Sequence, residues 1–133
     1  MIGAFDRYLY AIGMLKEKYL CVRAVDVAHC LGVSKASVSL AVRRLREQGL
    51  IVVEPDGNLC FTAPGRARSD QLDGRVSFFR RFLTEAGVES SQALRDAIAF
   101  SWEMSEASFE AFRAMRAEQA REMSSDLYPD GKE

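Results

Sequence analysis

Three arginines, a lysine and three serines crowd into one short stretch, Gly32–Leu50, which reads GVSKASVSLAVRRLREQGL. None of these side chains is suited to bond-making without a base beside it. All are suited to donating hydrogen bonds to anions and polar edges. Ser34 is placed to cap a helix, accepting from a free N–H of the first turn. Val38, Val42 and Leu45, with Ala41 beside them, then recur at helical spacing and form an inner stripe. Gly49 follows as a residue able to close the helix in the left-handed conformation. Lys35, Ser37, Ser39, Arg43, Arg44 and Arg46 are left on the outside. A helix with small, hydroxyl-rich residues in its first turn and arginines in its second half can approach a DNA major groove closely and meet phosphates. Taken alone, the same pattern also fits a surface helix with ordinary solvated charges.

Other chemistry is poorly represented. The chain has no Gly-rich phosphate loop, no nucleophile paired with a histidine and no grouped catalytic carboxylates, so an enzyme is not expected. His29 is the one histidine. It stands beside Cys30 and reads as a partly exposed helix residue rather than a metal ligand. Cys21, Cys30 and Cys60 are odd in number and lack CxxC spacing, which points to free thiols in a reducing compartment. No apolar run approaches the roughly 20 residues of a membrane span. The N-terminus, MIGAFDRYLY, has no basic region followed by a long apolar one. A cytoplasmic protein that neither spans nor binds a membrane is expected.

The elements that must position the basic helix can be read around it. Phe5–Tyr19 has helical spacing through Phe5, Leu9 and Ile12. Cys21–Arg23 is a short extended connector. Ala24–Leu31 is a second helix with Val27, Ala28 and Leu31 inward. Two short helices joined through Gly32 and Val33 form a helix-turn-helix. Leu50–Val53 and Leu59–Thr62 flank EPDGN, in which Pro presets φ and Asp-Gly turns the chain, so a β-hairpin follows. Three helices and a hairpin in this order are a winged helix. Its tip carries Glu54 and Asp56 rather than lysine or arginine, so this wing is expected to add little affinity for phosphates.

The remaining sequence is helical. Thr62 caps a long helix with Pro64 in its first turn, with Leu72, Val76, Phe79 and Leu83 on one face and a stop at Gly87. Another helix starts at Glu89–Ser91 and presents Leu94, Ile98 and Ser101 or Trp102. A last one, about Glu106–Met123, carries Phe109, Phe112 and Met115. The fold class is therefore mainly α: a winged helix-turn-helix in residues 1–65, a helical dimerisation lobe in 66–123, and a polar, disordered tail in 124–133. Charge divides the same way. Residues 1–66 hold nine Lys/Arg against six Asp/Glu, while 67–133 hold nine against thirteen. A basic DNA-binding lobe joined to an acidic lobe with another task fits that asymmetry. The surplus of Phe100, Trp102, Met104, Phe109, Phe112 and Met115 on the last helices, and the need of a winged helix for a partner at palindromic sites, point to a homodimer.

The whole order resembles the diphtheria-toxin-repressor family of metal-dependent transcription regulators, and within it the shorter manganese-transport regulators. The resemblance covers about Asp6 to Phe112. It rests on RYLYAIGML, on VDVAHCLGVSKASVSLAVRRLREQGLIVVE, on LCFTAPGRA leaving the wing and on RRFLTEAGVESSQALRDA. It implies operator binding by the N-terminal lobe, with base-proximal positions at Ser34, Ala36, Ser37 and Leu40, and phosphate-facing positions at Ser39, Arg43 and Arg44. Lys35 stands beside them on the same polar face. Leu40 departs from the family, where a polar side chain is usual. A leucine can touch a thymine methyl but forms no bidentate hydrogen bond.

The family's metal ligands fall here on Arg7, Tyr10, Val76, Ile98, Ser101 and Trp102, and its ancillary positions on Val76 again, Arg80 and Leu94. None of these suits manganese or ferrous iron, which take carboxylate and imidazole. Glu103, one position beyond, would restore a single ligand and not a site. No cofactor is expected, although the family binds manganese or ferrous iron. The expected function is a dimeric, sequence-specific regulator that binds double-stranded DNA and has lost metal control at the family's site. Two alternatives stay open: a winged-helix module that binds protein, and a regulator of the multiple-antibiotic-resistance type answering to a small apolar ligand.

Overall fold

The computed structural model describes residues 3–127. They fall into two compact units, one ending at Trp102 and the other beginning at Glu103. The first starts with α1 (Asp6–Lys16), α2 (Ala24–Leu31) and α3 (Lys35–Glu47). β1 (Ile51–Val53) and β2 (Leu59–Phe61) follow as an antiparallel hairpin in which Val52 faces Cys60. α4 (Ala63–Glu85) and α5 (Ser90–Glu103) complete it, and α6 (Glu106–Leu127) makes up the second unit.

The local signals act as expected at most element ends. Ser34 Oγ accepts from Ser37 N–H at 3.1 Å and starts α3. Thr62 Oγ1 accepts from Gly65 N–H at 3.1 Å and starts α4, with Pro64 in its first turn. Gly49, at φ +73°, takes the left-handed conformation just past α3. Glu89 caps α5, its carboxylate accepting from the N–H groups of Ser91 and Gln92 and from the Ser91 hydroxyl. These bonds hold its carboxyl down to about 2.

Some boundaries differ from the sequence reading. The first helix is shorter than Phe5–Tyr19, because residues 17–20 leave the helical pattern and Tyr19 and Leu20 project into solvent. Val42 is half-buried, at the edge of the inner stripe of α3 rather than in it. At the other end, α6 continues through Leu127, so Ser124–Leu127 are helical where a disordered tail was expected. The rest of that tail, 128–133, lies outside the described residues.

The core of the first unit is built from Leu9 and Ile12 of α1, Val22, Val27 of α2, Val38, Ala41 and Leu45 of α3, Ile51 and Leu59 of the hairpin, and Leu72 and Val76 of α4, all essentially inaccessible. α1 packs against α2, α3 and α4, so it is the central strut. Asp6 at its start is buried and paired with Arg68 of α4 at 2.5 Å. α4 begins so close to the end of β1's lead-in that a Cβ at Gly65 would overlap the Leu50 carbonyl. Thr62 N–H donates to that same carbonyl at 3.1 Å. In α6, Arg113 pairs with Glu110 and lies over the Phe109 ring, both one turn away.

Candidate nucleic-acid interface

α3 turns Val38, Ala41 and Leu45 inward and leaves the opposite side to solvent. Lys35, Ala36, Ser39, Arg43 and Arg44 are all exposed, and Leu40 is 38 % exposed among them. Ser34 and Ser37 are tied together at the N-terminal end, where the Ser34 hydroxyl donates to Ser37 Oγ at 2.9 Å. The structure thus leaves the sequence-selected residues of this segment on the side of α3 away from the core, with Ser37 half-buried among them. Arg44 is held by Glu47 at 3.2 Å, an exposed pair of little energetic weight that yields readily to a phosphate. Arg43 makes no hydrogen bond or ion pair among the described residues, and its donors face water. The face can offer backbone-contacting cations, small hydroxyls and one apolar contact at Leu40.

The wing is acidic at its tip, as expected, but its acids are used internally. Asp56 Oδ1 accepts from Asn58 N–H at 2.9 Å, and Glu54 Oε1 accepts from Asn58 Nδ2 at 2.6 Å and from the Cys60 thiol at 3.3 Å. Asn58 Oδ1 in turn accepts from Lys16 Nζ at 3.0 Å and from Val22 N–H at 2.9 Å. Arg23, just before α2, donates from Nε to the Asp56 carbonyl at 2.8 Å. Sequence reading missed these three residues. Asn58 carries the only local signal, a side-chain amide where the turn meets β2. Lys16 and Arg23 meet the wing through contacts distant in sequence.

The two cysteines with shifted thiols are both held in the protonated, less reactive form. Burial raises the Cys30 thiol, and burial followed by the Glu54 hydrogen bond raises that of Cys60. His29 is exposed on α2 and stands in no ligand cluster among the described residues.

The positions to which the sequence resemblance assigns the family's metal ligands form a different environment. Tyr10, Val76 and Ser101 are buried. The Tyr10 ring meets the edge of Trp102 with centroids 5.7 Å apart, and Ser101 Oγ donates to the Ala97 carbonyl at 2.7 Å. Ile98 and Leu94 are half-buried. Arg7 is exposed and lies over the Tyr8 ring, and Arg80 donates to Ser90 Oγ at 2.8 Å. Burial, then the nearby charges of Asp73 and Glu17, push the Tyr10 phenol up to about 12. A phenol, an indole, two cations and aliphatic side chains do not make a donor set for a hard or borderline divalent ion. Among the described residues no three His, Cys, Asp or Glu side chains are grouped to hold a metal ion.

Three helices and a two-stranded wing, with an uncommitted polar face on the third helix, define a winged helix-turn-helix DNA-binding domain. Residues 3–59 match the family model described as iron dependent repressor, N-terminal DNA binding domain. A transcriptional regulator MntR of Escherichia coli is 33% identical over 81% of this chain and 70% of its own length, and an HTH-type transcriptional regulator MntR of Bacillus subtilis is 27% identical over 70% of this chain and 66% of its own. A solved manganese-dependent transcriptional repressor in complex with manganese superposes with a TM-score of 0.73 at 24% identity, covering 84% of this chain and 52% of that one. The chain therefore spans about half the length of that solved repressor. The protein belongs to the iron-dependent repressor family of DNA-binding transcription regulators and is of its manganese-regulator type. No single helix among the described residues is long and apolar enough to cross a membrane.

Proposed function

We propose that this protein is a dimeric, cytoplasmic regulator that binds operator DNA through α3 and no longer answers to manganese or ferrous iron at the family's site. One contrast carries the reading. The residues that would read DNA stand exposed on one face, while Tyr10, Val76, Ser101 and Trp102, which replace the family's ligands, pack against protein. Ser34, Lys35, Ala36, Ser37, Ser39, Leu40, Arg43 and Arg44 form the DNA face, with Arg43 and Arg44 on phosphates and Leu40 against a thymine methyl. Exposed Phe82 of α4 and Phe100 of α5 supply apolar surface for a second copy. Two reading helices then address the two halves of a palindromic site.

The test is selection of a binding sequence from random duplexes, then gel-shift titration with manganese, ferrous iron or chelator. The expected result is specific retention that changes less than twofold across these conditions. Chelator-sensitive retention overturns the loss of metal control. Sedimentation of the free protein reads the oligomeric state, and a monomer at micromolar concentration counts against the dimer.

A second reading, a protein-binding winged helix, draws on the exposed Leu40 and the acidic wing. Salt separates the two, since DNA retention falls steeply as counterions compete for phosphates.

A further inference from the structure

The turn of the wing, Glu54–Asn58, carries two carboxylates and no cation of its own. Glu54 and Asp56 are both exposed. The Asp56 carbonyl is held by Arg23, the residue just before α2. With α3 in a groove, the first helix of the pair crosses the DNA backbone, and a tip tied to the start of that helix lies near phosphates. Like charges facing each other there repel.

The half-buried Asn58 controls where one of those charges sits. Its Nδ2 donates to Glu54 Oε1 at 2.6 Å and reaches Cys60 Sγ at 3.5 Å. Its Oδ1 accepts from Lys16 Nζ of α1 at 3.0 Å and from Val22 N–H of the connector at 2.9 Å. Both ends of the amide are therefore engaged, three of these partners lying outside the turn. The turn itself does not need them. Its backbone is closed by Glu54 N–H on the Asn58 carbonyl at 2.9 Å and Gly57 N–H on the Glu54 carbonyl at 2.8 Å, and Asp56 Oδ1 is met by the Asn58 backbone N–H. What the side chain adds is a fixed direction for the Glu54 carboxylate, with the Lys16 ammonium one amide away.

We propose that Asn58 is a positioning residue for DNA binding: its amide, anchored on α1 and the connector, turns the Glu54 carboxylate back into the wing and away from phosphates. This role rests on α3 being the DNA face. Without the amide, Glu54 keeps only the Cys60 thiol, a weak donor, and its carboxylate is free to enter the gap between tip and backbone. That cost is coulombic and shrinks as salt screens it. A wing that had merely lost packing would lose the same factor at every salt concentration.

The test is a double-mutant cycle of Asn58→Ala and Glu54→Gln in the full chain. It is read by gel-shift titration on the duplex selected from random sequences, at low and high salt, with circular dichroism and thermal unfolding of each variant. Asn58→Ala alone is expected to weaken retention about tenfold at low salt, the gap narrowing as salt rises. In the Glu54→Gln background the same substitution should change retention less than about twofold. Asn58→Ser keeps one oxygen for Lys16 or Val22, follows the same pattern, and stands in if the alanine variant does not fold. Unchanged retention, an equal loss in both backgrounds, a loss independent of salt, or failure of both variants to fold overturns the positioning role and leaves the function of α3 intact. A wild-type chain that retains no duplex overturns the function proposed above, and this role falls with it.

Discussion

The outer face of α3 and the buried group around Tyr10 use similar amounts of polar chemistry in opposite ways. On α3, Lys35, Ser39 and Arg43 keep their donors in water, and Arg44 is engaged only by its helical neighbour Glu47. Around Tyr10, Ser101 spends its hydroxyl on the helix backbone, Trp102 spends its edge on Tyr10, and Val76 fills space. Open donors cost little stability and are available to a ligand; closed ones contribute to the fold and are not. The difference is one of availability: the face of α3 offers its polar groups to a ligand, while the group around Tyr10 offers them to the fold.

Substitutions at the two regions should therefore fail in different ways. The largest effect is expected from Val76→Asp, which places a carboxylate at a position that the resemblance assigns to a family ligand but buries it in the core. Thermal or denaturant unfolding should show a loss of about 3–5 kcal/mol. A near-neutral result would mean that the region is open after all. Charge reversal at Arg43 and Arg44 together should leave unfolding nearly unchanged and cut DNA retention at least a hundredfold in gel shifts, with a shallower salt slope. Unchanged retention would break the assignment of α3 as the reading face.

The Tyr10 phenol gives a third contrast, read by pH. Its folded value of about 12 lies above its unfolded value near 10, so the native state holds the proton more tightly. Stability tied to that neutral phenol is complete below pH 10 and is lost as pH rises from 10 to 12, by about 2–3 kcal/mol. Denaturant titrations of wild type and Tyr10→Phe across that window check it, the variant lacking this component. The smallest effect belongs to Leu40→Gln. It should shift stability by less than about 0.5 kcal/mol and change preference at one base pair by about 1–3 kcal/mol, measured by competition with duplexes varied at single positions.

Most of the fold is legible in the sequence because its punctuation is local. Ser34 and Thr62 cap helices within three residues of themselves, Gly49 closes α3 in place, and Pro55–Asn58 turns the hairpin over four positions. The exposed face of α3 follows from periodicity alone. What stays hidden depends on pairs distant in the chain. Lys16 and Val22 meet Asn58, Arg23 meets Asp56, and Tyr10 shares a cleft with Ser69 and Asp73. No residue type announces these meetings, since they arise from how α1 lies against α4 and the wing. The end of α6 was missed for another reason: SSDL is polar without being helix-breaking, and polarity alone does not end a helix.

The contact between Gly65 and the Leu50 carbonyl has a mechanical meaning. α4 is 23 residues long, about 35 Å at 1.5 Å per residue, and it is pinned to the rest of the domain at its first turn. Leu50 lies one residue past the glycine that ends α3, so the pin sits beside that helix. With no room for a side chain at Gly65, any larger residue there would have to push the start of α4 away from the end of α3, so the direction in which α4 leaves the domain hangs on one missing methyl group.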